Sequence, residues 1–70
     1  MDHKEFRKRR RMVEKSQREA AKVINLTGPM ICYFEAGRIT FDKDDLKALE
    51  QWLLREEAKL GIIPQQESAS

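Results

Sequence analysis

Cysteine occurs once in this chain, at Cys32, and histidine once, at His3. A single thiol forms no internal disulfide, and one cysteine with one histidine supplies no metal cluster. No cofactor is expected. So little cysteine suits a reducing, cytoplasmic compartment. No apolar run approaches the roughly 20 residues that a membrane span needs. None follows the basic N-terminal segment as a secretory signal would require, so neither export nor a membrane partner is expected. Strand signals are nearly missing: only Ile39-Thr40-Phe41 is locally strand-like, and it is too short to matter. Acid–base pairs, nucleophile–histidine pairs and phosphate-cradling loops are lacking too, and so short a chain encloses little space. Neither an enzyme nor a small-molecule substrate is expected.

What is present is charge and helical patterning. The 70 residues make one domain, and a chain of that length buries only about 60% of the surface it exposes when unfolded. Charged residues form 37% of the chain and hydrophobic ones 40%, a balance that suits a compact helical domain better than a disordered segment. Net charge is only +2, but residues 1–38 hold ten Lys/Arg against five Asp/Glu, whereas residues 39–70 hold four against seven. A basic half beside an acidic half predicts one face for a polyanion and another for a different purpose.

Four helices read naturally from the spacing. The first spans about His3 to Lys15, with Phe6, Met12 and Val13 at helical intervals; His3 itself is expected to be disordered. The second begins at Ser16, an N-cap with Glu19 three residues on, the capping-box pattern. It carries Ala20, Ala21, Val23 and Ile24, and Asn25 tolerates the left-handed turn that ends it. Thr27 is expected to cap the third helix, with Gly28 and Pro29 in its first turn and Gly37 as its stop. Asp42 is expected to cap a fourth, uninterrupted from Lys43 to Lys59, in which Leu46, Leu49 and Leu53 form a stripe that Trp52 widens. Residues 1–63 are expected to form the domain, ending in a dimerisation helix, and 64–70 a polar, disordered tail.

The second and third helices have the build of a helix-turn-helix, two short helices joined by a tight turn. Ala21 allows a close crossing, and Ile24, Leu26, Ile31 and Phe34 fill the angle between the helices. The third helix is thereby held proud of the surface, able to enter a DNA major groove.

Ser16-Gln17, Ala21, Leu26-Thr27, Ile31 and Glu35-Ala36-Gly37-Arg38 resemble, without a gap, the Xre/Cro-type helix-turn-helix of lambdoid phage repressors. The resemblance covers about Phe6 to Leu53. It implies an all-α, compact bundle of four or five helices of the lambda-repressor-like type, usually a homodimer on double-stranded DNA, in the cytoplasm of a bacterial host cell. By matching position it places Gln17 and Arg18 on phosphates at the start of the second helix. Gly37 and Arg38 take a phosphate on the other side, and Thr27, Gly28, Pro29, Met30, Cys32 and Tyr33 face bases or the groove wall. Arg10 and Glu35 occupy positions that form a structural ion pair in some of these repressors.

Where family members often carry Gln, Ser or Arg at the start of the recognition helix, this chain has Gly28-Pro29. Readout would then come from Tyr33, Thr27 and apolar contact of Met30 or Cys32 with thymine methyls, or from DNA shape and the basic first helix. Some of Arg7 to Arg11, Arg10 excepted, is expected to meet phosphate. Trp52, Leu54, Leu60, Ile62 and Ile63 exceed what the bundle needs, so a dimer surface is expected among them. The function expected is that of an autoregulatory phage or mobile-element repressor, anti-CRISPR-associated and antitoxin-like repressors being similar. The alternative is a helix-turn-helix protein-interaction module or antitoxin with weak DNA reading.

Overall fold

The structure is a computed structural model and describes residues 1–61. Ile62, Ile63 and the expected tail over 64–70 lie outside the described residues.

Each helix starts on a residue able to satisfy its first amides. Asp2 caps α1 (His3–Met12) by accepting the Glu5 amide at 2.7 Å, and that bond holds its carboxyl below its ordinary pKa. Ser16 caps α2 (Gln17–Val23): its hydroxyl accepts the Glu19 amide at 3.0 Å while the Glu19 carboxylate accepts the Ser16 amide at 2.7 Å. The same Ser16 amide draws the Glu19 pKa down. Asp42 caps α4 (Lys43–Leu60) through the Asp45 amide at 2.9 Å.

Thr27 departs from this pattern. It stands extended before α3 (Gly28–Glu35) as an N-cap, but its side chain makes no capping bond; its backbone carbonyl alone accepts from Met30 at 3.0 Å. Pro29, without an N–H, reduces the number of donors the cap must satisfy.

The first three helices end on left-handed residues, each closing the same pair of backbone bonds. After α3, Gly37 (φ 78°) lets the Arg38 amide reach the Tyr33 carbonyl and its own amide the Phe34 carbonyl, both at 2.9 Å. A β-carbon on Gly37 would stand 3.0 Å from His3 Nε2. His3 is therefore not the disordered residue expected from the sequence: it opens α1, half-buried, with its ring against this turn. After α2, Asn25 (φ 58°) plays the part of the glycine, with the Leu26 amide on the Ala21 carbonyl at 2.9 Å.

After α1 that place is taken by Glu14 (φ 59°), which has neither glycine's freedom nor asparagine's local hydrogen bonding. The Lys15 amide bonds the Arg10 carbonyl at 3.2 Å, so the helix stops at Met12 rather than running on to Lys15.

The core is drawn from all four helices and the α1 C-cap: Phe6, Val13, Ala20, Ala21, Ile31, Phe34, Leu49, Trp52 and Leu53. Phe34 stands at its centre, edge-on to Phe6 at 5.6 Å and stacked on Phe41 at 4.7 Å. Ala20 and Ala21 carry no bulk between α2 and its neighbours, and α2 packs on both α3 and α4. Leu49, Trp52 and Leu53 share one face of α4 because residues three and four apart lie on the same side of a helix. Trp52, expected on a dimer surface, is thus a core residue, 8% exposed. Leu54 lies off that face at 40% exposure, whereas Leu60 continues it in the last turn of α4 and is 57% exposed.

Among the described residues there are four helices and no strand, and no helix is long and apolar enough to cross a membrane.

Glu14→Gly should relieve the left-handed strain after α1. The expected gain is about 0.5–1 kcal/mol, less than the strain itself because glycine also loses more freedom on folding. Urea unfolding should show a higher midpoint at an unchanged slope; an unchanged or lower midpoint would contradict the strain assigned to this turn.

Candidate nucleic-acid interface

The side chains that fix α3 are clustered at its C-terminal end. Arg10, from α1, donates a fork to Glu35: Nε to Oε2 at 2.6 Å and Nη2 to Oε1 at 3.0 Å. Its remaining nitrogen, Nη1, donates to the Lys15 carbonyl at 2.7 Å, tying down the α1–α2 turn. Gln17, from the start of α2, donates through Nε2 to the same Glu35 oxygen, Oε1, at 3.0 Å. The Arg10 and Glu35 side chains are only 11% and 4% exposed, so this is an ion pair removed from water, with each guanidinium nitrogen and each carboxylate oxygen in a hydrogen bond.

Gln17, expected to meet a DNA phosphate through backbone and side chain, has one side-chain N–H engaged by Glu35 and stays half-exposed at the start of α2. What α2 leaves outward at that end is the Arg18 side chain, exposed beside the first turn of α3, and the first-turn amides that no intrahelical carbonyl can reach.

Sequence reasoning missed a second fork. Arg9 donates Nε and Nη2 to the two Glu57 oxygens, each at 2.9 Å, joining α1 to α4. The Arg9 pKa is raised by that carboxylate, and the pair is 15% and 5% exposed. Arg9 is therefore not among the basic residues available to a phosphate. One helical turn earlier on α4 than Lys59, Glu56 meets Lys59 at 3.2 Å and Lys15 at 3.6 Å, and its pKa is lowered, first by Lys59 and then by Lys15.

With its inner side so anchored, α3 buries Ile31, Phe34 and Glu35 and turns the opposite side outward. Pro29, Cys32, Tyr33 and Ala36 are exposed there, at intervals of three and four residues that make one continuous stripe. Thr27 is exposed just ahead of them, while Gly28 and Met30 are half-buried on the flanks. A shallow cleft beside the N-terminal half of α3 is lined by Arg18 and Gln17 with Pro29, Cys32 and Tyr33. A second, beside its C-terminal half, is lined by Arg7 and Arg11 with Cys32 and Ala36. Arg38 is exposed just past the Gly37 turn.

The outward stripe holds one hydroxyl and one thiol, and cations border it on both sides. Such a face can fill a groove and be held by a polyanion, but it offers few hydrogen bonds of its own. Compared with known protein families, curated proteins and solved structures, this chain matches none. Among the described residues no group of three or more metal-ligating side chains stands together. The expected DNA-facing residues Thr27, Pro29, Cys32 and Tyr33 share the exposed face with Ala36, which the sequence did not place among them. Leu54 and Leu60 lie on α4, and Ile62 and Ile63 lie outside the described residues.

Arg10→Met should strand Glu35 in the interior and destabilise the fold by about 3–5 kcal/mol, seen as a large fall in melting temperature by circular dichroism. The double variant Arg10→Met/Glu35→Leu removes both charges and should recover most of that loss. A single variant with wild-type stability would show that the fork holds nothing together.

Proposed function

We propose that this chain is a sequence-specific DNA-binding transcriptional repressor of the lambda-repressor-like helix-turn-helix type, acting as a homodimer on a palindromic operator and having no catalytic role. The observation that carries this reading is the exposed stripe on α3, Pro29, Cys32, Tyr33 and Ala36, braced from behind by Arg10 and Glu35 and bordered by Arg7, Arg11 and Arg18. A helix anchored along one side, with cations at both flanks of the other, has the form that enters a major groove while the flanks meet the phosphate strands.

The resemblance of Ser16-Gln17 through Arg38 to phage repressors supports the same reading, and with it a bacterial cytoplasm and control by a phage or mobile element. In a homodimer the two copies of α3 would address half-sites about one helical turn, roughly 34 Å, apart. Leu54 and Leu60, exposed on α4, are the apolar residues such an association would cover. Within this reading Thr27 and Tyr33 supply the polar base contacts, Met30, Cys32 and Ala36 the apolar ones, and Arg18 and Arg38 meet phosphate.

A second reading, a protein-interaction module on the same scaffold, is favoured by one feature: Gly28 and Pro29 give the leading turn of α3 no polar side chain. Selection from a random pool of duplexes separates the two. A repressor enriches one short palindromic sequence and holds its preference as salt rises; an interaction module enriches none.

Two further outcomes are expected of the repressor. Tyr33 is 45% exposed, so Tyr33→Ala should leave thermal stability nearly unchanged while weakening operator binding about tenfold or more, the value of one good base or phosphate contact. Cys32, exposed and on the same stripe, should react with a maleimide several-fold more slowly when the selected duplex is bound. Equal rates with and without duplex would remove this stripe from the interface.

A further inference from the structure

The basic run of α1 is divided by the structure into two sets. Arg9 and Arg10 turn inward, each forked onto a buried glutamate of another helix. Lys4, Arg7, Lys8 and Arg11 remain exposed, and their spacing of three, one and three residues puts all four on one side of the helix. They line one open groove together, ending at Glu35 and Ala36 on the last turn of α3. Glu35 does not neutralise them, because Arg10 and Gln17 already occupy its oxygens.

Such a stripe works against its own helix. Lys4 with Lys8, and Arg7 with Arg11, are like charges four residues apart, where each pair is destabilising; Lys4 with Arg7 and Lys8 with Arg11 repeat this at three. A helix whose opposite side is already the core gains nothing structural from four neighbours of one sign that meet no carboxylate in an ion pair among the described residues. Their concentration makes sense only against a polyanion. Stable anchoring at a membrane takes a second, apolar signal beside the cations, but Phe6 and Val13 are buried and Met12 alone is exposed at the end of the stripe.

We propose that Lys4, Arg7, Lys8 and Arg11 form a backbone-binding rail, lying along the phosphates of the strand that borders the C-terminal half of α3. This rests on the reading of α3 as the groove-entering helix and adds to it where the affinity resides. From Lys4 to Arg11 the rail rises about 10 Å along the helix axis, and its long flexible side chains reach past both ends, enough together to meet roughly three phosphates of one DNA strand. Arg18 borders the N-terminal half of α3 on its own, so the grip is lopsided: one cation on that flank, four on the other.

The test is salt dependence of binding to duplex DNA, measured by fluorescence anisotropy for the wild-type chain and two variants of equal charge. The rail variant is Lys4→Gln/Arg7→Gln/Lys8→Gln/Arg11→Gln; the control, Lys22→Gln/Lys43→Gln/Lys47→Gln/Arg55→Gln, removes four exposed cations elsewhere. The rail variant should lose about three units from the slope of log affinity against log salt, since each neutralised phosphate contributes roughly 0.9. It should bind about tenfold or more weakly at moderate salt while keeping the same preferred sequence. Its melting temperature should rise, because the self-repulsion is gone, which also shows that it folds.

The control variant should keep the wild-type slope. Equal slope changes in the two variants would overturn the rail, as would a rail variant with the wild-type slope. A rail variant that keeps that slope on DNA but loses binding to polyglutamate would assign the stripe to an acidic protein instead. If the wild-type chain binds no duplex even at low salt, the reading of α3 fails and the rail with it; wild-type binding with an unaltered slope in the rail variant sinks the rail alone.

Discussion

Glu35 is poorly placed by every local criterion. It is a carboxylate in the last turn of α3, where the helix dipole disfavours negative charge, and its side chain is almost wholly removed from water. Only the fork from Arg10 makes that position tolerable, and Arg10 in turn lies on α1 with its third nitrogen on the turn before α2. Gln17 closes the arrangement from the first residue of α2. One carboxylate thus joins three helices. Apolar packing of Ile31 and Phe34 could be satisfied by a range of small rotations of α3; two parallel hydrogen bonds to a planar guanidinium admit far fewer. The fork therefore sets the direction in which Pro29, Cys32, Tyr33 and Ala36 face more than it adds net stability, since a buried pair typically returns little over an apolar replacement.

The second fork, Arg9 to Glu57, does for α4 what the first does for α3. Because neighbouring residues on a helix point about 100° apart, Arg9 and Arg10 can reach different helices from adjacent positions. With Phe6 seated in the core between them, α1 is fixed in rotation about its own axis. Lys4, Arg7, Lys8 and Arg11 are outward because Phe6, Arg9, Arg10 and Val13 are inward. The position of the exposed charge is a consequence of where the buried charge is held.

Most helix boundaries were legible because they depend on local chemistry. Ser16 with Glu19, Asn25, Gly37 and Asp42 each do in the structure what their side chains, or the lack of one, allow anywhere. The end of α1 was not legible: Glu14 carries no turn signal, and it is held left-handed by what surrounds it, including the Arg10 bond to the Lys15 carbonyl. Thr27 looked like a side-chain cap and is one only through its backbone. The Arg10–Glu35 pairing entered through resemblance to phage repressors, whereas Arg9, one residue earlier, entered the sequence reading only as one more basic side chain. A signal for it existed. The apolar stripe Leu49, Trp52 and Leu53 continues at the same spacing onto Glu56 and Glu57, so two carboxylates were bound to fall at the edge of the core and to require cations. Trp52 read from the sequence both as widening that stripe and as a residue shared with a partner, and the structure puts it in the core.

What the interface reading leaves for α3 is narrow. If its stripe enters a major groove, the side chains that arrive there are a proline ring, a thiol, a methyl and a phenol, with one hydroxyl from Thr27 before them and the half-buried Met30 at their flank. Base edges distinguish themselves by hydrogen-bond pattern and by the thymine methyl, and this face can use the methyl more readily than the pattern. Fewer directional contacts mean smaller penalties for a wrong base, so discrimination would rest more on groove shape and on how the strands must lie to meet cations on both flanks. A rigid support then matters more than it would for a helix rich in Arg and Gln. Long polar side chains can bend to find a base, but Pro29, Cys32 and Ala36 reach only as far as the backbone carries them. The constraint that Glu35 places on α3 is thus the same constraint that would make so plain a surface selective.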